Sequence, residues 1–164
     1  MKVWTFALCL AFLGLDFLSK SLALEYLPPI RWHSVYPFNG IGVFAFGGVT
    51  FSLNFVTNTG AAWGLFSGQA GYLFLIRVAV ISALAFFLLF FNKGKFPAFP
   101  LWLILTGALG NALDYYLYGQ VIDFFHFTFW GHSFPVFNCA DSYITLGALS
   151  LFFITRSKRE AALG

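Results

Sequence analysis

The sequence predicts an all-α membrane protein, with four transmembrane helices and a small β-sheet cradle and loop on the outer face. Of the 164 residues, 60% are hydrophobic and only 9% are charged, whereas a soluble domain carries roughly a quarter charged residues because its surface faces water. The mean hydropathy is +0.82. A chain with 24 phenylalanines lacks the polar side chains to cover a water-facing surface, so the predicted surroundings are lipid.

Four apolar stretches can each cross a hydrocarbon core, which takes roughly 20 residues of helix. Helix-breaking or polar segments separate them, at Pro28-Pro29, from Asn92 to Pro100, and at His132-Ser133. The fourth stretch is the shortest. The predicted spans are residues 3–24, 70–91, 99–117 and 140–155, within one integral membrane domain of residues 1–164.

Lysine and arginine predict the orientation, because loops rich in these residues stay cytoplasmic. Basic residues precede the first span, separate the second from the third and follow the fourth: Lys2, Lys93, Lys95, Arg156, Lys158 and Arg159. All of them fall on one side of a four-span topology, so both termini are predicted to be cytoplasmic and loops 25–69 and 118–139 to face outward. A cleaved leader ending near Ala23 is the rival interpretation, and it would place the remaining basic loops on inconsistent sides.

The first outer loop carries a strand pattern. Polar and apolar residues alternate from Thr50 to Phe55, with the period of a strand that rests on an apolar surface. Asn58-Thr59-Gly60 then has the composition of a turn. A small sheet at the outer interface is the prediction.

Composition and spacing exclude several classes of site. Cys9 and Cys139 are predicted to lie near opposite membrane faces, too far apart for a disulfide, and to be free thiols. His33, His126 and His132 lack the spacing of a helical metal site, so we expect interfacial loop histidines and no metal. A net charge of +3 is too small and too scattered to indicate nucleic-acid binding.

Acidic residues inside apolar spans need an explanation. An aspartate near a helix centre costs about 2.5–3.5 kcal/mol on insertion, and such residues are functional candidates. Four of the six acidic residues lie within or at the ends of the spans: Asp16, Asp114, Asp123 and Asp141.

Two of these acids have neighbours at helical spacing. Asp16 and Lys20 are four residues apart on one helix face, which predicts a mutually neutralising pair. Asn111 and Asp114 are three apart and predict a structural hydrogen-bond network, beside Gly107 and other small residues that allow close helix approach. Ser19 beside Lys20 is a poor serine–lysine pair, because adjacent helical residues point about 100° apart.

The positions of Asp123 and Asp141 suggest a catalytic role. Asp123 lies in apolar surroundings just outside the third span and Asp141 begins the fourth, so the topology brings both to the outer interface. Two carboxylates brought together do not both ionise cheaply, so one keeps its proton. Such an acid and base can activate water against an amide carbonyl. Asp141 as a plain helix N-cap is the competing interpretation.

A small proton-coupled transporter is the non-enzymatic alternative, because buried acids and Asp–Lys pairs also serve proton relays. The small size, the lack of an internal repeat and the gathering of acids at one face disfavour it.

Five segments, taken in order, resemble the bacterial lipoprotein signal peptidases (signal peptidase II, prolipoprotein signal peptidase). The segments are Asp16–Lys20, Asn54–Gly64, Gly107–Asp114, Val121–Phe124 and Phe137–Ser142. The resemblance implies an aspartyl endopeptidase of the bacterial inner membrane with its site at the periplasmic face. Such an enzyme cuts diacylglyceryl-modified prolipoproteins before the lipidated cysteine, without a metal or organic cofactor. We expect the chain to act as a monomer in membrane lipid, with no nucleic-acid partner. An inactive lipoprotein-binding homologue is the other possibility within the family.

The resemblance also assigns residues. Asp123 and Asp141 would be the catalytic pair. Substrate-binding or supporting positions would be Asn54, Asn58, Gly60, Asn111, Asn138, Asp114, Asp16 and Lys20. Tyr115 departs from the pattern, because the family usually has arginine there and tyrosine does not reproduce its fork of donors.

Overall fold

The computed structural model of the chain describes residues 3–58, 70–94 and 96–161. Within these ranges the helices are α1 (Val3–Tyr26), α2 (Ala70–Phe86), α3 (Ala98–Tyr118) and α4 (Cys139–Ala161), and the strands are β1 (Ile41–Phe46), β2 (Val49–Asn58), β3 (Val121–Phe129) and β4 (His132–Ser133). The predicted combination of apolar helices with a small sheet is confirmed.

The helices follow the predicted spans, with differences at their ends. Two described segments, Trp4–Tyr26 and Phe74–Phe91, are long and apolar enough to cross a membrane. The second of these includes a π-helical turn, Phe87–Phe91, so the hydrogen bonding changes before the predicted end of the span. Helix α4 continues to Ala161, past the predicted limit at residue 155. The predicted limit is that of the apolar span, and the helix continues beyond it because arginine and lysine are good helix formers.

Helix α3 packs against the other three helices, most extensively against α4. Glycines on α3 permit this approach, as predicted. A Cβ at Gly107 would meet the carbonyl oxygen of Ala140, and one at Gly110 would lie 2.5 Å from Oδ2 of Asp16. The missing side chains therefore let the start of α4 and the middle of α1 reach the same face of α3.

The sheet is antiparallel, with the strand order β1-β2-β3-β4. Gly47 and Gly48 form the β1–β2 turn with φ values of 60° and 79°, and Trp130 and Gly131 form the β3–β4 turn at 48° and 81°. Positive φ at both central residues is the geometry of a type I′ hairpin turn. The predicted strand 50–55 lies within a longer inner strand of this sheet, β2.

Residues 118–139, the second loop predicted to face outward, contribute β3 and β4, which the sequence pattern did not predict. Residues Val121–Phe124 of β3 are all buried. Both faces of this strand are covered, so its sequence is continuously apolar around Asp123 instead of alternating. Asn58 ends β2, while Thr59 and Gly60 of the predicted turn lie outside the described residues.

His126 lies inside the sheet, so its predicted place in an interfacial loop is wrong. Its ring lies between Trp32, with centroids 5.7 Å apart, and Phe38, at 4.8 Å. Its Nε2 is 2.7 Å from the hydroxyl of Ser133. Burial lowers the pKa of His126, because a charged imidazolium would lose its hydration. The segment before β1 thus covers one face of the sheet. Both cysteines are free thiols, as predicted.

We expect Gly107→Ala to lower the free energy of unfolding by about 1–3 kcal/mol, because the added methyl meets a backbone carbonyl that does not rotate away. Thermal unfolding in detergent micelles would measure the loss. Gly14→Ala is the matched control, since a Cβ at Gly14 meets nothing within 4 Å. Equal melting temperatures for the two variants would contradict the close approach of α3 and α4.

Candidate active site

Asp123 lies near the start of β3, opposite Val56 of β2. Helix α3 ends at Tyr118, and Gly119 caps it with a left-handed φ of 70° two residues before the strand begins. The side chain is 3% exposed. Its Oδ2 accepts a 3.4 Å hydrogen bond from the amide of Asn58. Burial, followed by the charge of Asp141, raises the pKa of Asp123 to about 7.

Asp141 is the third residue of α4 and takes part in a capping box. Asn138 precedes the helix, and its Oδ1 accepts a 2.9 Å hydrogen bond from the backbone N–H of Asp141. The N–H of Asn138 donates in turn to Oδ2 of Asp141 at 3.2 Å. Asn138 is therefore the N-cap and Asp141 the reciprocal partner, so the interpretation of Asp141 as the N-cap is wrong.

The side chain of Asn138 joins the two aspartates. Its Nδ2 donates to Oδ1 of Asp123 at 2.8 Å and also lies 3.0 Å from Oδ1 of Asn111. Asn111 donates from its own Nδ2 to Oδ1 of Asp141 at 2.8 Å. Two asparagines thus bring the predicted catalytic residues into one hydrogen-bonded group.

Lys20 lies beneath this group and is 1% exposed. Its Nζ is 2.8 Å from Oδ2 of Asp16 and 2.8 Å from Oδ2 of Asp114. A third hydrogen bond, of 3.0 Å, goes to Oδ1 of Asn111. The predicted Asp16–Lys20 pair and the predicted network of Asn111 with Asp114 are one cluster, in which all three ammonium donors are used.

The geometry gives no support to a serine–lysine pair. The hydroxyl of Ser19 donates to the carbonyl of Asp16 at 2.9 Å and lies 3.5 Å from the sulfur of Cys139. The described contacts of Lys20 go to the acids and to Asn111 instead.

Asn54 is fully buried but lies elsewhere in the sheet. Its Nδ2 donates to the carbonyl of Pro37 at 2.9 Å, and its Oδ1 accepts from Ser52 at 2.7 Å. Among the described residues its hydrogen bonds hold the segment before β1, not the aspartates. Gly60 lies outside the described residues. Tyr115 stacks on Phe74, with ring centroids 4.9 Å apart.

Two backbone amides belong to the site although no side-chain pattern singled them out. The N–H of Ile122 donates to Oδ2 of Asp114 at 3.2 Å, and that of Ala140 donates to Oδ1 of Asp16 at 2.8 Å. Each precedes one aspartate of the pair. Within the part of the chain that the structure describes, no three His, Cys, Asp or Glu side chains are grouped to hold a metal ion.

Comparison with known proteins assigns this arrangement to a family. The family profile described as Signal peptidase (SPase) II matches residues 8–156. The chain belongs to the signal peptidase II family.

Individual relatives agree with that assignment. A lipoprotein signal peptidase from Staphylococcus aureus is 37% identical over 110 residues, 63% of this chain and 66% of the relative. One from Staphylococcus carnosus is 37% identical over 107 residues, 62% of this chain and 67% of the relative. The matched segment thus spans about two thirds of the length of these signal peptidase II relatives.

Solved structures agree as well. A bacterial membrane enzyme determined at 2.3 Å has a TM-score of 0.77 and 26% identity, over 99% of this chain and 92% of that one. A second bacterial membrane enzyme, determined at 1.9 Å, has a TM-score of 0.72 and 26% identity, over 94% of this chain and 93% of that one. The helices and the sheet are therefore those of a membrane enzyme.

The raised pKa of Asp123 predicts a pH-dependent stability. The unfolded chain releases this proton near pH 3.8 and the folded protein near pH 7. The folded state therefore binds more protons in between, and the free energy of unfolding falls as the pH rises through this window. Asp123→Asn has no group to titrate, so we expect a shallower fall in unfolding measurements from about pH 4 to about pH 7.

Glu25→Gln is the control for this measurement, because Glu25 is an exposed acid at the end of α1. The free energy of unfolding of Glu25→Gln should fall with pH as steeply as that of the wild type. Identical slopes for the wild type and Asp123→Asn would show that Asp123 titrates at its ordinary pKa.

Proposed function

We propose that this chain is an aspartyl endopeptidase that removes signal peptides from diacylglyceryl-modified prolipoproteins, cutting before the lipidated cysteine. The observation that carries the proposal is the pair Asp123 and Asp141, joined through the side chain of Asn138 in a member of the signal peptidase II family. A buried carboxyl beside a second carboxyl can supply both the acid and the base of amide hydrolysis.

The surroundings of the two carboxyls favour different roles. Asp141 is only partly buried, lies in the first turn of a helix and accepts N–H hydrogen bonds at both oxygens. A helix N-terminus and N–H donors both stabilise a carboxylate. Asp123 is buried in the sheet, with one short and one long hydrogen bond. We assign Asp141 as the base and Asp123 as the proton carrier.

In this mechanism Asp141 takes a proton from water as the water oxygen attacks the carbonyl carbon of the scissile amide. Asp123 gives its proton to the carbonyl oxygen, and a tetrahedral intermediate forms. Asp141 then protonates the leaving nitrogen, the C–N bond breaks, and Asp123 recovers its proton from the hydroxyl of the intermediate. Both carboxyls return to their starting states.

The sheet suits an apolar substrate. Side chains alternate across a strand, so Phe125, Phe127 and Phe129 share the face of β3 that carries Asp123. Phe127 stacks on Phe51 at 4.4 Å, and its ring centroid lies 6.0 Å from that of Phe137. This aromatic face supports the role of the sheet as a cradle for a lipid-modified segment.

The topology belongs to the same proposal. We propose that all four helices span the inner membrane within one domain of residues 1–164, with both termini cytoplasmic and the aspartate pair at the periplasmic face. The chain would act as a monomer in membrane lipid. The two strongly apolar helices and the basic residues on one side of the four-span topology support this arrangement.

Asp123→Asn and Asp141→Asn should each abolish cleavage of a diacylglyceryl-modified prolipoprotein, because either change removes a group that must exchange a proton. Purified protein in lipid would be assayed by the mobility and mass of the product. We expect a loss of at least about a thousandfold for each variant.

Glu25→Gln serves as the acid-to-amide control and should cleave normally, since the Glu25 side chain is exposed. Substantial activity in either active-site variant would remove that residue from the pair. A folded wild-type protein that binds the substrate without cleaving it would instead favour an inactive lipoprotein-binding homologue.

A further inference from the structure

The buried cluster beneath the aspartate pair connects two separate parts of the fold. Asp16 places Oδ2 on Lys20 and Oδ1 on the N–H of Ala140. Asp114 uses its Oδ2 for both Lys20 and the N–H of Ile122. The two backbone amides belong to the residues directly before Asp141 and Asp123. One ammonium group therefore links the two acids that hold the two segments.

We propose that Lys20, together with Asp16 and Asp114, is a positioning device that sets the segment carrying Asp123 against the segment carrying Asp141. The proposal rests on the function proposed above and assigns these three residues no contact with substrate. They are positioning residues, because they act on the pair through Ile122, Ala140 and Asn111.

Hydrogen bonds to the backbone leave the two carboxyls little freedom to move. A hydrogen bond to a backbone N–H fixes the direction of the peptide plane, and the next residue follows at the dihedral angles of the helix or strand. Ala140 lies in the first turn of α4 and Ile122 lies within β3. Each anchor is thus one residue from the carboxyl it orients, and a displacement of about 1 Å can cost a hundredfold in rate.

The lysine is needed because neither acid is stabilised by water. Asp16 and Asp114 are each 2% exposed and Lys20 is 1% exposed. Without the ammonium, two buried carboxylates would face each other, and protonation or separation would follow. Either outcome weakens an acceptor that now holds a backbone amide.

The close packing of Gly110 against Asp16 and Ala140 fits this positioning role. The Cβ of an alanine at position 110 would lie 2.5 Å from Oδ2 of Asp16 and 3.3 Å from the Cβ of Ala140. Lys20 also reaches Oδ1 of Asn111, whose amide donates to Asp141. The ammonium therefore acts on Asp141 through Asn111 as well as through the backbone anchor at Ala140.

The test compares Lys20→Met, Asp16→Asn, Asp114→Asn and the double asparagine variant in the prolipoprotein cleavage assay in lipid. We expect Lys20→Met to lower kcat about 10–100-fold per folded molecule with KM unchanged, since none of the three residues touches substrate. The effects of the two asparagine variants should be non-additive, because both interrupt the same link. A substrate-binding role would raise KM instead.

Hydrogen exchange of the Ile122 and Ala140 amides, followed by NMR in micelles, provides a second measurement that needs no activity. Protection of both amides should fall in Lys20→Met. If Lys20→Met does not fold, the asparagine variants decide: Asp16→Asn should expose mainly Ala140 and Asp114→Asn mainly Ile122.

Leu105→Ala is the matched control for lost stability, because Leu105 is a buried α3 side chain packed with Leu88 and Leu101. It should lower the melting temperature while kcat and both amides stay as in the wild type. Unchanged kcat in Lys20→Met, or unchanged protection of either amide, would overturn the positioning role. A wild type that does not cleave would refute the proposed function, whereas the exchange data would still decide this inference.

Discussion

Burial of charge is the constraint on which this site depends. Four acids and one lysine are connected within a few hydrogen bonds of one another, and all but Asp141 are almost inaccessible to solvent: Asp16, Lys20, Asp114, Asp123 and Asp141. With a single ammonium among them, full ionisation would leave three uncompensated negative charges. The fold meets this demand in two ways. With its pKa raised to about 7, Asp123 is ionised only part of the time at neutral pH, and amide donors from asparagine side chains and the backbone stabilise the remaining charges.

The same demand explains why three helices, α1, α3 and α4, converge although α1 is distant in the chain from the other two. The N–H of Ala140 is 124 residues from the Asp16 carboxylate that it binds. Such a contact forms only where α1, α3 and α4 approach closely, which the glycines of α3 permit. The geometry of the site therefore depends on the packing of the helices. A residue that keeps the helices apart also separates the carboxylates from their donors.

The sequence was informative where local spacing determines the contact. Asp16 and Lys20 pair because residues four apart share a helix face. An aspartate in an apolar span is conspicuous because its insertion into a membrane costs free energy. The capping box of Asn138 and Asp141 is also visible in the sequence, because its partners are three residues apart, although the competing interpretation of Asp141 as the N-cap names the wrong residue.

Other features depend on tertiary partners that spacing does not reveal. The first half of β3, Val121–Phe124, has no alternation, because neighbouring elements cover both of its faces. The role of Asp114 depends on a backbone amide eight residues ahead, and a backbone amide carries no residue-type signal. Asn54 belongs to a recognisable motif, yet its partner is the carbonyl of Pro37, in a segment whose position only the folded sheet defines.

The asparagines explain how a lysine can lie beneath the proposed acid–base pair without disabling it. An ammonium in direct contact with a carboxyl lowers the pKa of that carboxyl by roughly 1–3 units, and in the proposed mechanism this would deprive Asp123 of the proton that it carries. Here Lys20 binds the oxygen of Asn111, and the nitrogen of Asn111 binds Asp141. Asn138 similarly donates to Asp123 while accepting from the N–H of Asp141. A carboxylate at either position would lack the donor, and an aliphatic residue would lack both functions. An amide both accepts and donates without adding charge, so these two positions can hold the proposed pair in place and leave its proton available.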